Sequence, residues 1–195
     1  MDRLVLCTGN AGKVAELRAL LGTAIEVLSL HEVGLPLDLP ETGDTLQANA
    51  LEKARFAYQR CNIACLADDT GLEVDALHGA PGVFSARYAG EEKDASANIA
   101  LLLREMIDRS DRKARFRTVL ALVTAEGEYT FEGIVEGSIT CAARGSGGFG
   151  YDPIFQPVGH ERTFAEMDAA TKNSMSHRAL AMRSAMDHLT GLVRR

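Results

Sequence analysis

Apolar and polar residues follow one another along the first thirty positions in a pattern that predicts a strand, a polar turn, a helix and a second strand. Residues 3–7 form a short apolar run that ends in Thr8-Gly9-Asn10. Apolar residues then recur at helical spacing up to Gly22, and residues 25–30 indicate the second strand. The recurring residues are Val14, Leu17, Leu20 and Leu21.

The middle of the chain predicts two more helices and a buried strand. A loop with Pro and Gly carries Glu41, and Asp44 and Thr45 predict the cap of a helix that runs to about residue 61. Residues 64–67 predict a buried strand, at whose end Asp68-Asp69-Thr70-Gly71 stands before an irregular stretch through residue 90. A further helix is expected from about residue 95 to residue 107.

The second half predicts antiparallel strands and a final helix. Residues 116–125 and 129–135 predict a β-hairpin with its turn at Gly127, and residues 138–143 predict another strand. Ser176 is expected to cap a last helix that reaches about residue 189. Together these elements predict an α/β fold with a mixed parallel and antiparallel sheet and flanking helices.

Composition favours one compact domain over residues 1–195. The chain is 46% hydrophobic and 25% charged, which is ordinary for a globular fold. Its formal net charge of -6 attracts no polyanion, and acidic residues interrupt the basic stretch 109–117, so we expect no nucleic-acid partner. Four scattered cysteines favour reduced thiols, and the first apolar run is too short for a signal peptide or a membrane span. We therefore expect a cytoplasmic protein with no membrane partner.

The turn after the first strand is a candidate phosphate site. It comprises Thr8, Gly9, Asn10, Ala11, Gly12 and Lys13. Backbone N–H groups and the positive end of a helix favour a phosphate at such a place, and Lys13 adds a positive charge. Cys7 and Val14 stand where a P-loop needs Gly and Ser or Thr, which disfavours a kinase or P-loop ATPase. A plain glycine turn with an exposed Lys13 is the alternative.

Three carboxylates are candidate ligands for a metal ion. Asp68 and Asp69 are adjacent, and on an extended backbone their side chains point in opposite directions, so that one faces a site and the other supports it. Glu41 is the third carboxylate. Hard oxygen ligands of this kind suit Mg²⁺, which bridges carboxylates to substrate phosphates. Turn and helix-cap chemistry is the alternative.

Two later stretches offer groups for base and phosphate recognition. The glycine-rich run 145–150 precedes Tyr151-Asp152-Pro153 rather than a helix, so its match to a dinucleotide-binding pattern is accidental. Phe149 or Tyr151 offers a ring for stacking on a base, or else packs in the core. Lys172, His177 and Arg178 place three donors near the start of the last helix, where a bound anion or carbonyl accounts for them better than architecture alone.

Motifs along the whole chain resemble those of the inosine/xanthosine triphosphate pyrophosphatases, which act on dITP, ITP and XTP. Their order and spacing together carry the resemblance. The motifs are Thr8-Gly9-Asn10 with Lys13 and Glu16, Glu41-Thr42-Gly43, Asn49-Ala50 with Lys53-Ala54, Ala67-Asp68-Asp69-Thr70-Gly71-Leu72, Gly79-Ala80-Pro81-Gly82, Ser85-Ala86-Arg87-Tyr88, Gly147-Gly148-Phe149-Gly150-Tyr151-Asp152-Pro153 and Ser176-His177-Arg178.

The resemblance implies an elongated α/β fold of two lobes around a central nucleotide cleft, commonly homodimeric, with Mg²⁺ and a water nucleophile. It implies hydrolysis of aberrant purine nucleoside triphosphates to a monophosphate and pyrophosphate. Asp69 would be the general base and a metal ligand, with Glu41 and Asp68 as further ligands. The implied substrate-binding residues are Thr8, Gly9, Asn10, Ala11, Gly12, Lys13, Thr70, Phe149, Gly150, Tyr151, Asp152, Lys172, His177 and Arg178.

Two departures and two alternatives accompany this interpretation. Ala48 stands where the family usually has Glu, which bears on the metal environment, and Thr70 replaces the commoner Ser. One alternative is a Maf-like pyrophosphatase acting on pyrimidine or modified nucleotides, although the motifs around Phe149 and His177 speak against it. The other alternative is a nucleotide-binding sensor without catalysis.

Overall fold

A six-stranded mixed sheet forms the centre of the fold. The computed structural model describes residues 2–21 and 25–193. The strands are β1 (Arg3–Leu6), β2 (Glu26–Ser29), β3 (Cys65–Val74), β4 (Lys113–Val123), β5 (Glu128–Ile139) and β6 (Phe155–Pro157). Their order in the sheet is β2-β1-β3-β4-β5-β6. β1 pairs in parallel with β2 and β3, whereas β6 pairs antiparallel with β5.

The helices begin at capping residues that the local sequence supplies. They are α1 (Ala11–Leu21), α2 (Leu46–Cys61), α3 (Ala95–Glu105), α4 (Ala169–Met175) and α5 (His177–Val193). Thr45 caps α2 by accepting a hydrogen bond from the backbone N–H of Ala48, as predicted. Within the described ranges, no helix is long and apolar enough to cross a membrane.

The chain divides into two compact units. Unit 1 contains the described residues up to Asp69, Thr118–Gly133 and the residues from Arg178 onward, and unit 2 contains Thr70–Arg117 and Ile134–His177. The core of unit 1 joins alternate residues of three strands to α1 and α5. Its buried members are Leu4, Leu6, Leu17, Leu21, Leu66, Leu120, Leu122, Ala181, Met182 and Ala185.

Unit 2 has an aromatic core. The ring of Phe116 lies 4.6 Å from that of Phe155 and 6.1 Å from that of Phe164, and the latter two rings are 5.2 Å apart. Phe155 and Phe164 are fully buried. Such rings bury large areas and add favourable edge and stacking contacts. They hold β4 and β6 against the 3₁₀ turn Phe164–Glu166.

The predicted α/β fold with a mixed sheet is confirmed, and so is the β-hairpin around Gly127. Two lobes around a nucleotide cleft, an elongated shape and a single domain over residues 1–195 stay predictions. The prediction that β3 ends before Asp68 is wrong, because β3 runs through Asp68, Asp69 and Thr70 to Val74. In the sequence, the polar pair Asp68-Asp69 predicts the end of the strand. In the structure, Lys13 pairs with Asp68 and Lys53 pairs with Asp69, so both carboxylates are accommodated within β3.

Two other predictions at the C-terminal half are wrong. Residues 138–143 form no strand of their own, because β5 continues to Ile139 and Arg112 then donates to the carbonyl oxygens of Ile139 and Thr140. Lys172 does not lie at the start of the last helix, because it belongs to α4, a short helix capped by Asp168. The start of the last helix after Ser176 is as predicted.

Candidate functional site

Asp68 lies at the centre of a buried ion-pair cluster in unit 1. Its Oδ2 atom is 3.1 Å from Nζ of Lys13 and 3.0 Å from Nη2 of Arg178. The guanidinium of Arg178 also contacts the carboxylate of Glu16 closely. The side chains of Asp68 and Arg178 are 0% and 1% exposed. The cluster therefore joins α1 and α5 to β3 through charges that water does not screen.

The charge of Asp68 is fixed by its neighbours. Burial alone would raise the pKa of Asp68, but Lys13 and Arg178 outweigh burial and hold this pKa well below its usual range. Asp68 is consequently an anion at every physiological pH. Lys13, the predicted phosphate ligand, is anchored by this anion.

Asp69 contacts a different set of side chains, which lie on α2 or contact it. Nδ2 of Asn49 donates to Oδ2 of Asp69 at 3.2 Å, and Nζ of Lys53 lies 3.3 Å from Oδ1. Nζ of Lys53 also donates to Oε1 of Glu41 at 2.6 Å and to the carbonyl oxygen of Asp68 at 2.8 Å. The two adjacent aspartates thus contact different helices, as expected for neighbours on a strand. We call Glu41, Asn49, Lys53 and Asp69 the Asp69 cluster.

Asp69 is the more basic of the two aspartates. Burial raises the pKa of Asp69 above its ordinary value, and the nearby Lys53 opposes this shift without cancelling it. Its side chain is 11% exposed, whereas that of Asp68 is 0% exposed. Asp69 therefore combines access to solvent with a stronger pull on a proton, which is what a general base requires.

The segment that carries Glu41 is held to α2 by two side chains. Oδ1 of Asn49 accepts from the backbone N–H of Gly43 at 2.8 Å, and Glu52 accepts from the N–H and the hydroxyl of Thr42. A Cβ on Gly43 would lie 2.6 Å from that of Ala48, so only glycine permits this approach. Ala48 is exposed and lines an open groove of about 470 Å³, outside the Asp69 cluster.

The predicted phosphate turn is shorter than expected. Thr8, Gly9 and Asn10 form the loop, whereas Ala11, Gly12 and Lys13 form the first turn of α1. The side chain of Asn10 accepts from the backbone N–H of Lys13 at 3.1 Å and so begins the helix. Apart from the partly buried Lys13, Gly12 and Thr8, this stretch is exposed, which leaves it accessible to an anion.

Unit 2 contains a second buried ion pair, formed by predicted recognition residues. Nζ of Lys172 lies 2.6 Å from Oδ2 of Asp152, and the same oxygen accepts from the backbone N–H of Phe149 at 2.8 Å. The ammonium group lies 4.8 Å from the centre of the Phe149 ring. Because Phe149 is only half-buried, this ring can still meet a ligand.

Gly148→Ala is expected to destabilise this ion pair. The added Cβ would lie 2.1 Å from Oδ2 of Asp152, at a backbone with a φ of +70° that alanine rarely adopts. We expect the free energy of unfolding to fall by about 1–3 kcal/mol, measured in urea. Gly159→Ala is the matched control, because its φ is +82° but no atom lies within 4 Å of the added Cβ. An equal loss in both variants would leave only backbone strain as the cause and contradict the clash with Asp152.

The remaining predicted residues have separate surroundings. The hydroxyl of Tyr151 donates to the carbonyl oxygen of Ser85 at 2.9 Å, and this residue is buried. The ring of His177 stacks on Phe116 at 4.6 Å with an interplanar angle of 22°. Thr70 and Gly150 are partly buried. The three predicted donors therefore have different partners. Lys172 pairs with Asp152, His177 stacks on Phe116, and Arg178 pairs with Asp68.

The sequence motifs predict no individual role for Asn49, Lys53 or Glu16. Asn49 and Lys53 lie one helical turn apart on the face of α2 that also buries Ala50, Ala54 and Ala57. Polar residues on a buried helical face require polar partners, so this spacing was the signal for their role. Glu16 carried no comparable signal, because Arg178 is 162 positions away in the chain.

Two carboxylates of the Asp69 cluster are compatible with the predicted metal ion. Within residues 2–21 and 25–193, no three His, Cys, Asp or Glu side chains are arranged to hold a metal ion by themselves. Mg²⁺ needs only one or two carboxylates when substrate phosphates complete its shell. Glu41 and Asp69 both contact Lys53 and both keep exposed surface. Asp68 stays a predicted ligand, although it is fully buried against Lys13 and Arg178.

Comparison with known proteins yields one consistent group of relatives. A sequence profile of the Ham1 family matches residues 4–188. The dITP/XTP pyrophosphatase of Porphyromonas gingivalis is 52% identical over 190 residues, covering 97% of this chain and 98% of that protein. Two solved structures, each with a TM-score of 0.89, are the Ham1 protein of Staphylococcus aureus and a HAM1 protein of Coxiella burnetii. The first is 36% identical and covers 97% of this chain and 99% of that chain, and the second is 41% identical and covers 98% and 100%.

Proposed function

Because the chain belongs to the Ham1 family, we propose that it is a hydrolase that cuts aberrant purine nucleoside triphosphates, namely dITP, ITP and XTP, to nucleoside monophosphates and pyrophosphate. The observation that carries the chemistry is the Asp69 cluster, in which two partly accessible carboxylates share one buried ammonium group. The substrate class comes from the relatives, several of which are named dITP/XTP pyrophosphatase.

Phosphate binding is assigned to the start of α1. Thr8, Gly9, Asn10, Ala11, Gly12 and Lys13 form this stretch. A helix N-terminus attracts an anion through its backbone N–H groups and its dipole. Lys13 is kept in place by Asp68, and its ammonium group retains donors for a phosphate oxygen. Asp68, which stays a predicted metal ligand, thus also positions Lys13 at the phosphate site.

Mg²⁺ is the proposed cofactor, with Asp69 and Glu41 as its first ligands. When bound, the metal ion supplies positive charge that neutralises the triphosphate. Lys53 fixes both carboxylates, and Asn49 fixes the second oxygen of Asp69. This support holds the two carboxylates in one arrangement before substrate arrives, which lowers the cost of reorganisation.

Asp69 is the proposed general base. Its carboxylate orients a water molecule and accepts a proton from it as the water attacks phosphorus in line with the departing pyrophosphate. The raised pKa of Asp69 favours this transfer, and burial restricts the directions from which water arrives. Lys53 then stabilises the negative charge that remains on Glu41.

Base recognition is assigned to residues of unit 2. Phe149 stacks on the base, while Lys172 or His177 donates to the 6-oxo group of hypoxanthine or xanthine. The 6-amino group of ATP would place a donor against a donor, so ATP is rejected. Asp152 holds the backbone of Phe149, and Tyr151 is held by Ser85. Tyr151, Asp152, Gly150 and Thr70 are proposed to contact the substrate. Arg178, also a predicted substrate-binding residue, pairs with Asp68, the carboxylate that anchors Lys13.

The substrate class is tested by initial rates of pyrophosphate release from ITP, XTP, GTP, ATP and dTTP. We expect ITP and XTP to exceed ATP by about 10²-fold or more in kcat/KM. A preference for dTTP would favour a Maf-like pyrophosphatase instead. Saturable ITP binding without release of pyrophosphate would favour a sensor. We further propose that the protein is cytoplasmic and forms a homodimer. Sedimentation equilibrium of the purified chain tests the dimer.

A further inference from the structure

Two thiols meet at the turn between α2 and β3. Sγ of Cys61, the last residue of α2, lies 3.7 Å from Sγ of Cys65, the first residue of β3. Both thiols also approach the carbonyl oxygen of Ile63, at 3.8 Å and 3.2 Å. The turn therefore holds the two sulfur atoms together without a covalent bond.

The two thiols differ in access to solvent. Cys61 is partly exposed, whereas Cys65 is buried. Cys7, the residue that follows β1, is also buried and lies beside Cys65, and Cys141 is exposed in unit 2. Within the Cys61/Cys65 pair, a small oxidant therefore reaches Cys61 before Cys65.

We propose that Cys61 and Cys65 form an oxidative modification site, which hydrogen peroxide converts to an intrachain disulfide. The Cys61 thiolate attacks peroxide, the O–O bond breaks, and Cys61 becomes a sulfenic acid while the released hydroxide takes a proton to form water. The thiol of Cys65 then attacks the sulfur of Cys61, so that an S–S bond forms, the S–O bond breaks and water leaves. A dithiol reductant restores both thiols by exchange.

We expect the disulfide to displace residues of the Asp69 cluster. The resulting loss of turnover rests on the proposed function. An S–S bond of about 2.05 Å requires the sulfur atoms to approach by about 1.7 Å. We expect α2 and β3 to take up part of this movement, and these elements carry Asn49, Lys53 and Asp69. A displacement of ~1 Å in a catalytic group can lower turnover by ~10²-fold. We expect oxidation to lower ITP turnover at least about tenfold, reversibly.

Peptide mass spectrometry tests the site independently of any activity. Trypsin releases residues 61–87 as one peptide that contains both cysteines. After treatment with excess peroxide and alkylation, we expect this peptide to be two hydrogen atoms lighter than the dithiol and free of alkyl groups. Excess oxidant is needed because burial raises the pKa of Cys61 and keeps its thiolate scarce at neutral pH.

Three variants control this experiment. Cys61→Ser abolishes the light peptide, whereas Cys141→Ser leaves it unchanged, since Cys141 lies in unit 2. Cys7→Ala separates the proposed pair from a Cys7–Cys65 pair and is expected to leave the light peptide in place. A peptide that carries sulfinic acid at Cys61 with Cys65 still alkylated, or a disulfide that requires Cys7, would overturn the proposal.

Turnover is read on the same samples before and after dithiothreitol. Loss and recovery of turnover in step with the light peptide support the coupling, and a light peptide with unchanged turnover overturns the coupling alone. If the reduced protein releases no pyrophosphate from ITP, the proposed function fails, while the peptide mass still decides the modification site.

Discussion

Asp69→Asn lowers the turnover number for ITP by about 10²–10⁴-fold and leaves the protein folded. The substitution keeps the shape of the side chain and removes the charge that accepts the proton. Asparagine can still bind the amide of Asn49, so the local structure should survive. Lys53 keeps Glu41 as a partner, so no isolated buried cation remains. Steady-state kinetics with a thermal melt of the same sample measure both parts of this expectation.

Glu52→Gln is the matched control for Asp69→Asn. Glu52 also lies on α2, but its carboxylate accepts hydrogen bonds from Thr42, whereas Asp69 is bound by Asn49 and Lys53. We expect its turnover to stay within about threefold of the wild type, because hydrogen bonds to Thr42 remain possible. Retention of more than a tenth of the turnover by Asp69→Asn would contradict the assignment of the general base.

Arg178→Met lowers the free energy of unfolding by about 3–5 kcal/mol. Methionine fills much of the space of the arginine stem but leaves Glu16 and Asp68 without their shared cation. Lys13 remains beside Asp68 and limits the loss. Burial makes the removal of one partner costly, because water cannot replace it. Urea unfolding at pH 7 measures the change.

Arg55→Met provides the comparison for an exposed pair. Arg55 binds Glu128 through two hydrogen bonds, but the two side chains are 49% and 41% exposed. We expect a change of less than about 1 kcal/mol there. Similar losses in the two variants would contradict the view that burial sets the value of the Arg178 pair.

Acid also distinguishes the Arg178 variant from the wild type. The pKa of Asp68 is depressed in the folded protein, so its contribution to stability is present above the unfolded pKa of about 3.9 and is lost as the pH falls through the folded pKa. Removing Arg178 weakens this depression. We therefore expect the stability difference between wild type and Arg178→Met to shrink as the pH falls from the folded-state pKa of Asp68 in the variant towards the lower one in the wild type.

The sequence allowed much of the fold to be predicted because its local signals agree. The helical spacing in α1, the Thr45 cap of α2 and the Gly127 turn each concern neighbouring residues, and each prediction is confirmed. The extension of β3 through Asp68 and Asp69 was not predicted, because it depends on cations from helices distant in the chain. The sequence of the strand alone gives no information about these cations.

The sequence predicts which residues belong to the candidate site, but it does not predict which of them contact one another. Asp68 and Asp69 were expected to face opposite ways, and their contacts with different helices agree with that geometry. The supporting roles of Asn49 and Lys53 became visible only when α2 was placed beside β3. Arg178, grouped from the sequence with Lys172 and His177, instead belongs to a buried pair set by tertiary packing.

The most direct test of the central claim is the release of pyrophosphate from ITP by the purified protein with Mg²⁺, with and without excess EDTA. We predict rapid release of pyrophosphate and inosine monophosphate with the metal ion, no release of orthophosphate, and loss of the reaction in EDTA that Mg²⁺ restores. Release of orthophosphate, or an equal rate in EDTA, would contradict a metal-dependent pyrophosphatase.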